Sequence, residues 1–273
     1  MILLLKLTLA PLFVGLASLA GRRWGSGVAG WIAALPIIAG PIVLILTIEN
    51  GVAFGESAAS SAILGILLLT GFCLSYAHMA RYFNCVVTLF LSWLITFALI
   101  ALLSELALSP AVSFTIVIVA LYVALKCFPQ FDTNQPITSP PKWEILLRML
   151  AVAVLVLVIT SSAQLLGPNL SGLLAPFPIA SSVLAVFTHR FFGVNAVISL
   201  TRAFVSGIFS YAVFFLLLAT TLKSFGISAA FVIASLAALI IHAVSGRYLR
   251  LIQIPKLGSR APAGKTEVET SKH

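Results

Sequence analysis

The segment Gly30-Trp31-Ile32-Ala33-Ala34-Leu35-Pro36-Ile37-Ile38-Ala39-Gly40-Pro41 lies inside an apolar run over residues 27–48. A run of that length is expected to cross a bilayer as a helix. Pro36 falls near its middle, where it removes a backbone donor and crowds the preceding turn. The same anomaly returns in Gly172-Leu173-Leu174-Ala175-Pro176-Phe177-Pro178-Ile179-Ala180-Ser181-Ser182, within a run over residues 169–188. Pro178 stands where Pro36 stands in the first segment, and each has a second proline close by, Pro41 and Pro176. In hydrocarbon each freed carbonyl or amide costs several kcal/mol unless something satisfies it. A single proline reads as a packing kink. Prolines at matched places in two runs predict interrupted helices that line a cavity.

The match extends outward at one offset, 142 residues, without gaps. Gly25 pairs with Gly167, Gly30 with Gly172, Gly51 with Gly193, Ser57 with Ser199, Gly65 with Gly207 and Phe72 with Phe214. Lys6 coincides with Arg148, and Arg81 with Lys223. Glycine and proline answer to backbone geometry. Their coincidence therefore carries more weight than a shared Leu or Val, and it predicts an internal repeat.

The composition agrees with a lipid setting. Of 273 residues, 61% are hydrophobic and 8% charged, where a soluble domain carries about 25% charged residues. A soluble enzyme, a disordered chain and a secreted disulfide scaffold are all excluded. The excess of 16 Lys+Arg over 7 Asp+Glu reads as an orientation signal rather than a nucleic-acid footprint, because the basic residues fall in short gaps between apolar runs. Cys73, Cys85 and Cys127 show no metal spacing and read as small buried apolar groups. Nine runs are long enough to span: residues 2–20, 27–48, 57–79, 84–104, 108–127, 144–166, 169–188, 196–222 and 226–246. The gap from Phe128 to Lys142 holds Pro129, Pro136, Pro140 and Pro141 and reads as an extended linker. The polar tail beyond Arg247 is expected to be disordered. Ser18-Leu19-Ala20 has the look of a signal-peptide cleavage site. The positive pair Arg22-Arg23 follows it, however, as in a retained anchor.

Counted from the amino terminus, the odd gaps hold Arg22, Arg23, Arg81, Lys126, Lys142 and Arg190. The even gaps hold Glu49, Glu56, Glu105 and, as the exception, Lys223. The positive-inside rule then puts the amino terminus outside, with the odd gaps and the carboxyl terminus in the cytoplasm. The repeat unit is four spans, and the unpaired fifth span turns the second unit over. The predicted fold is an all-α polytopic membrane protein of about nine transmembrane helices in a 4+1+4 inverted-topology plan. Residues 1–107 form the first unit, 108–142 the linking helix and loop, 143–246 the inverted unit and 247–273 the tail. Inversion also accounts for Lys223, which takes the place of Arg81 in a unit turned upside down. This plan resembles that of the inverted-repeat secondary transporters, such as sodium/proton antiporters and bile-acid-type carriers. The resemblance covers architecture over residues 1–250 and transfers no binding residue. It implies alternating access around a site near the midplane.

Candidate solute contacts gather around the breaks. Pro36, Gly40, Pro41, Pro176 and Pro178 expose backbone, Ser181, Ser182, Ser57 and Ser199 offer hydroxyls, and Arg202 lies about two turns into the eighth span. Small hydroxyls also glue membrane helices together. Arg202 fits snorkelling to the inner interface as well as facing an anionic solute. His78 and His242 lie near inner helix ends and read as solvated or interfacial. Tyr76, Trp93 and Trp143 read as belt or packing residues. No acid sits in the middle of a run, which argues against a proton pump or a carboxylate-coupled cation antiporter. There is no G-x-x-x-x-G-K, H-E-x-x-H or nucleophile-elbow motif, so an enzyme is not expected, and no catalytic residue, metal or cofactor is assigned. The expected function is a secondary transporter of the inner membrane moving a small polar or anionic organic solute. Its partners are the bilayer, that solute and a coupling ion, with no nucleic acid. The rivals are a lipid or lipid-linked precursor flippase, with a headgroup near Arg190 and Arg202, and a non-transporting membrane subunit of a larger complex.

Overall fold

The computed structural model describes residues 2–104, 106, 108–131, 141, 143–165 and 177–253, and the regular structure among them is helical throughout. In chain order the helices are α1 (Ile2–Trp24), α2 (Ser26–Ala33), α3 (Ala39–Asn50), α4 (Val52–Met79), α5 (Cys85–Leu103), α6 (Pro110–Cys127), α7 (Glu144–Leu165), α8 (Ile179–Gly207) and α9 (Phe209–Gln253). Val52–Met79, Cys85–Leu103, Pro110–Cys127 and the run from Ile179 to Arg247 are apolar enough and long enough to cross a bilayer. Those are the properties of an integral membrane protein. The expected residues 132–140 of the proline-rich linker, residues 169–176 of the seventh run with Pro176, and the tail beyond Gln253 lie outside the described residues.

Local chemistry explains several boundaries. The Asn84 side chain accepts the Val86 and Val87 amides at 3.1 and 3.0 Å and so caps α5. Pro110 opens α6, where its missing N–H costs nothing. Four glycines share one backbone conformation: Gly25 (φ 96, ψ 161), Gly51 (φ 90, ψ 168), Gly193 (φ 84, ψ −177) and Gly226 (φ 75, ψ 172). That region is open essentially to glycine alone. Each of the four re-aims the chain between two helical stretches without a loop. The gaps expected near Gly193 and Gly226 are therefore kinks inside α8 and α9. The boundary between those two helices, at Ile208, falls inside the run expected over residues 196–222. It is a mild distortion, since the Ile208 amide still donates to the Phe204 carbonyl and the Ala212 amide to that of Ile208. At the other end, α9 runs to Gln253, past the start expected for the tail.

The main core joins α4, α6, α8 and α9 through Ile63, Ile66, Phe72, Leu121, Val205 and Leu218. A second cluster joins α1, α2, α7 and α8 through Val14, Ala29, Val152, Val156, Leu184 and Leu200. Close backbone approach is built in at two points. A Cβ at Gly30 would run into the Leu200 carbonyl, and one at Gly207 would lie 2.7 Å from the Ala34 methyl. Phe90, Leu94, Tyr122 and Leu150 point away from the cores and are exposed, as side chains facing lipid tails would be.

Contacts across the bundle define its two ends. The 28 residues of α4 reach about 42 Å at the helical rise. Near its start, Glu56 Oε1 accepts the Lys223 amide at 3.1 Å. Near its end, the Tyr76 hydroxyl lies 3.4 Å from His189 Nδ1, and His78 Nε2 donates to the Cys127 carbonyl at 2.8 Å. Arg148 reaches Thr188, the neighbour of His189, at 3.4 Å, and Arg22 reaches Glu144 at 2.8 Å. The gaps numbered odd in the sequence thus gather at one end of α4, and Glu56 with Lys223 at the other. Gly51 and Gly193 stand at opposite ends.

Candidate functional site

Between α2 and α3 the chain leaves helical geometry over residues 34–38. The Ala34 amide turns back to the Trp31 carbonyl and the Leu35 amide to that of Ile32, both at 3.1 Å. These tighter i→i−3 bonds close the last turn of α2. Pro36 cannot donate, and α3 restarts when the Gly40 amide reaches the Pro36 carbonyl at 2.9 Å. Such a break places the carbonyl end of α2 and the amide end of α3, with opposite partial charges, a few residues apart. Pro36 and Pro41 are half-buried, and Gly40 is buried against the Phe214 ring.

Pro178 stands immediately before α8 with φ −76 and ψ 58. Ser181 and Ser182 are buried in the first turn of that helix. The Ser181 hydroxyl donates to the Pro178 carbonyl at 3.2 Å, and Ser182 Oγ accepts the indole N–H of Trp93 on α5 at 2.9 Å. Phe177 packs its ring on Trp93 and Phe97, with centroids 5.4 and 5.3 Å apart. Ile38 from the first break and Ile179 with Ala180 from the second pack against the same apolar cluster. Both proline segments thus border one apolar cluster built from α1, α2, α7 and α8. Of the other predicted contacts, Ser199 is half-buried beside Leu200, a member of that cluster, whereas Ser57 is exposed near the start of α4 and the half-buried Arg202 guanidinium lies 6.0 Å from the Phe131 ring beyond α6.

Two polar clusters were not legible as such. His242 was expected at a wet interface but is 3% exposed. It stacks on Trp31 at 4.2 Å, and its Nδ1 lies 3.2 Å from Ser210 Oγ. The Ser210 hydroxyl donates to the Gly207 carbonyl at 2.7 Å, and the Trp31 indole donates to Ser245 at 3.1 Å. Since the Ser210 proton is committed to that carbonyl, Nδ1 is the protonated ring nitrogen and Nε2 is left as a buried acceptor. The spacing of residues 31, 210, 242 and 245 gives no hint of this pile-up, which follows only from the packing of α9 side chains on Trp31 of α2.

The second cluster is charged. Glu144 opens α7 fully buried, and Arg148, one turn on, is 3% exposed. Arg148 Nε pairs with Glu144 Oε1, while Arg22 from the end of α1 takes Oε2 at 2.8 Å and the Pro141 carbonyl at 2.6 Å. Arg148 also reaches Ser18 and Thr188, at 3.5 and 3.4 Å, and lies over the Phe187 ring at 5.6 Å. Glu144 and Arg148 stand at i and i+4, the spacing of a helical ion pair. The third partner comes from 122 residues away.

On the flank of α5, α7 and α8 a lateral groove of about 490 Å³ is lined by Leu89, Trp93, Leu150, Val154 and Val186, with Ser182 as its hydroxyl. Among the described residues, no three His, Cys, Asp or Glu side chains come together as a metal site. The chain matches no protein-family model, no curated protein sequence and no solved structure.

Proposed function

We propose that the chain is a secondary transporter that moves a small polar or anionic organic solute by alternating access. The observation that carries this reading is that two proline segments, Pro36 between α2 and α3 and Pro178 at the head of α8, both border one apolar cluster. Interrupted helices expose unpaired backbone groups, and in transporters such groups grip solute and coupling ion. Two inverted four-helix units then rock about this point. Support for the repeat comes from its backbone landmarks. Gly51 and Gly193 have nearly the same φ and ψ, and the Asn84 cap and the Gly226 kink stand at the same offset. Support for inversion comes from the opposite ends at which Gly51 and Gly193 stand. The end carrying Arg22, Arg81, Lys126 and Arg190 faces the cytoplasm, following the positive-inside rule.

The test is solute flux in proteoliposomes with and without an imposed ion gradient. Pro36→Leu and Pro178→Leu, which let the helices close, are expected to abolish flux while leaving a folded protein. Flux at the unaltered rate in both would remove the site.

A flippase is the second reading, and the lateral groove favours it. An acyl or prenyl chain fits a groove of about 490 Å³ whose lining is almost wholly apolar. Scrambling of a fluorescent phospholipid in liposomes, in place of solute flux, would select it.

A further inference from the structure

The charges around Glu144 do not balance. Two guanidinium groups, Arg22 and Arg148, share this one carboxylate, and no other acid among the described residues lies within 4.0 Å of either. One positive charge is left over where Arg148 is 3% exposed. Beside it is a cavity of about 20 Å³ lined by Ser18, Arg22, Ser26, Arg148, Thr188 and Phe192. That space exceeds the roughly 10–15 Å³ that one water needs and falls short of a polyatomic ligand. Glu144 is not part of its wall, so the charged side chains facing it are both arginines. Arg22 Nε is buried without a hydrogen-bond partner. Ser26 begins α2, whose cap at Gly25 makes no side-chain hydrogen bond, so a helix amino terminus adds its partial positive charge. A water would satisfy the hydroxyls but not the charge.

We propose that this cavity binds a single halide-sized monovalent anion, chloride in the cell, held by Arg22, Arg148 and the hydroxyls of Ser26 and Thr188, while Ser18 lines the space with its proton committed to the Val14 carbonyl at 2.7 Å. The anion completes the charge balance that ties α1, α2, α7 and α8 together at one end of the bundle. Arg22, with its side chain 22% exposed, stands at the entry. The site is independent of the transport reading, and its test needs no solute.

The experiment follows thermal unfolding of the purified full-length protein by tryptophan fluorescence. Sodium gluconate is replaced stepwise by sodium chloride, bromide or phosphate at fixed ionic strength. Chloride and bromide are expected to raise the midpoint saturably, by roughly 5 °C well above half-saturation. Gluconate and phosphate, too large for the cavity, leave it unchanged. Arg22→Gln neutralises the surplus charge and abolishes the halide response. Glu144→Gln doubles the surplus and lowers the half-saturating chloride concentration by at least roughly tenfold. Equilibrium dialysis with labelled chloride on the unaltered protein gives one ion per chain and carries the test where a variant fails to fold. Equal midpoints in chloride and gluconate, a phosphate response matching that of chloride, a halide response undiminished in Arg22→Gln, or no retained chloride in dialysis each overturn the proposal.

Discussion

Two kinds of glycine in this chain do different work, and substitution separates them. Gly51 and Gly226 have φ values of 90 and 75, with open space where a Cβ would sit. Alanine there meets no neighbour but must hold a backbone conformation that costs about 1–3 kcal/mol for a non-glycine residue. Gly207 is helical, and its Cβ would lie 2.7 Å from the Ala34 methyl and 3.1 Å from the His242 ring. Alanine at Gly207 therefore pushes the end of α8 off the end of α2 and the His242 ring, at about 1–3 kcal/mol for overpacking. In thermal unfolding, Gly51→Ala, Gly226→Ala and Gly207→Ala should all lower the midpoint. Only Gly207→Ala should be rescued in part by shrinking a neighbour, as in Ala34→Gly. A rescue of Gly51→Ala by Ala34→Gly would contradict the distinction. The sequence exposed Gly51 and Gly207 by their recurrence at one offset, paired with Gly193 and Gly65. It could not say which were hinges and which were contacts, because a positive φ and a missing Cβ leave the same letter.

At the scale of elements, the breaks matter more than the helices. The start of α8 is pinned by one hydrogen bond, from the Trp93 indole to Ser182, and by ring packing of Phe177 on Trp93 and Phe97. Ser182→Ala leaves the indole N–H without its acceptor in an apolar setting, at about 1–3 kcal/mol. The expected outcome is a lower midpoint together with altered tryptophan emission, and Ser182→Thr should restore both. Unchanged emission in Ser182→Ala would mean that the contact does not hold α8. Proline periodicity made the break at residues 34–38 legible, and Pro178 likewise marks where α8 begins. What was not legible is that α8 and α9 kink at Gly193 and Gly226 instead of looping. Hydropathy sees the polar letters of a gap, while a glycine at φ near +80° turns the chain without needing them. His242 was misread, and Glu144 passed over, for a related reason. Each lies near the edge of an apolar run, where a single sequence places a polar side chain in water, and each is buried by a helix far away along the chain.

At the scale of the molecule, the decisive property is which end each gap occupies. Lys223 was the lone exception to the orientation read from Lys and Arg. The fold places its amide on Glu56, so the exceptional cation lies at the acidic end of the bundle. An isolated basic residue beside acids weakens an orientation signal far less than one in a neutral gap, because the rule counts the bias over all short loops. A chain with Cys73, Cys85 and Cys127 replaced by alanine provides the background for a direct check. Single cysteines at Glu49 and Lys223 should react with a membrane-impermeant maleimide on intact cells. Cysteines at Arg190 and Trp143 should react only after the membrane is opened. A disulfide between Glu56→Cys and Lys223→Cys should form under mild oxidation, joining the head of α4 to the Gly226 kink of α9. If cysteines at Gly51 and Gly193 label from the same face, the two units are not inverted. The shared offset of their glycines would then record duplication without reversal, and rocking of opposed halves would have no structural basis.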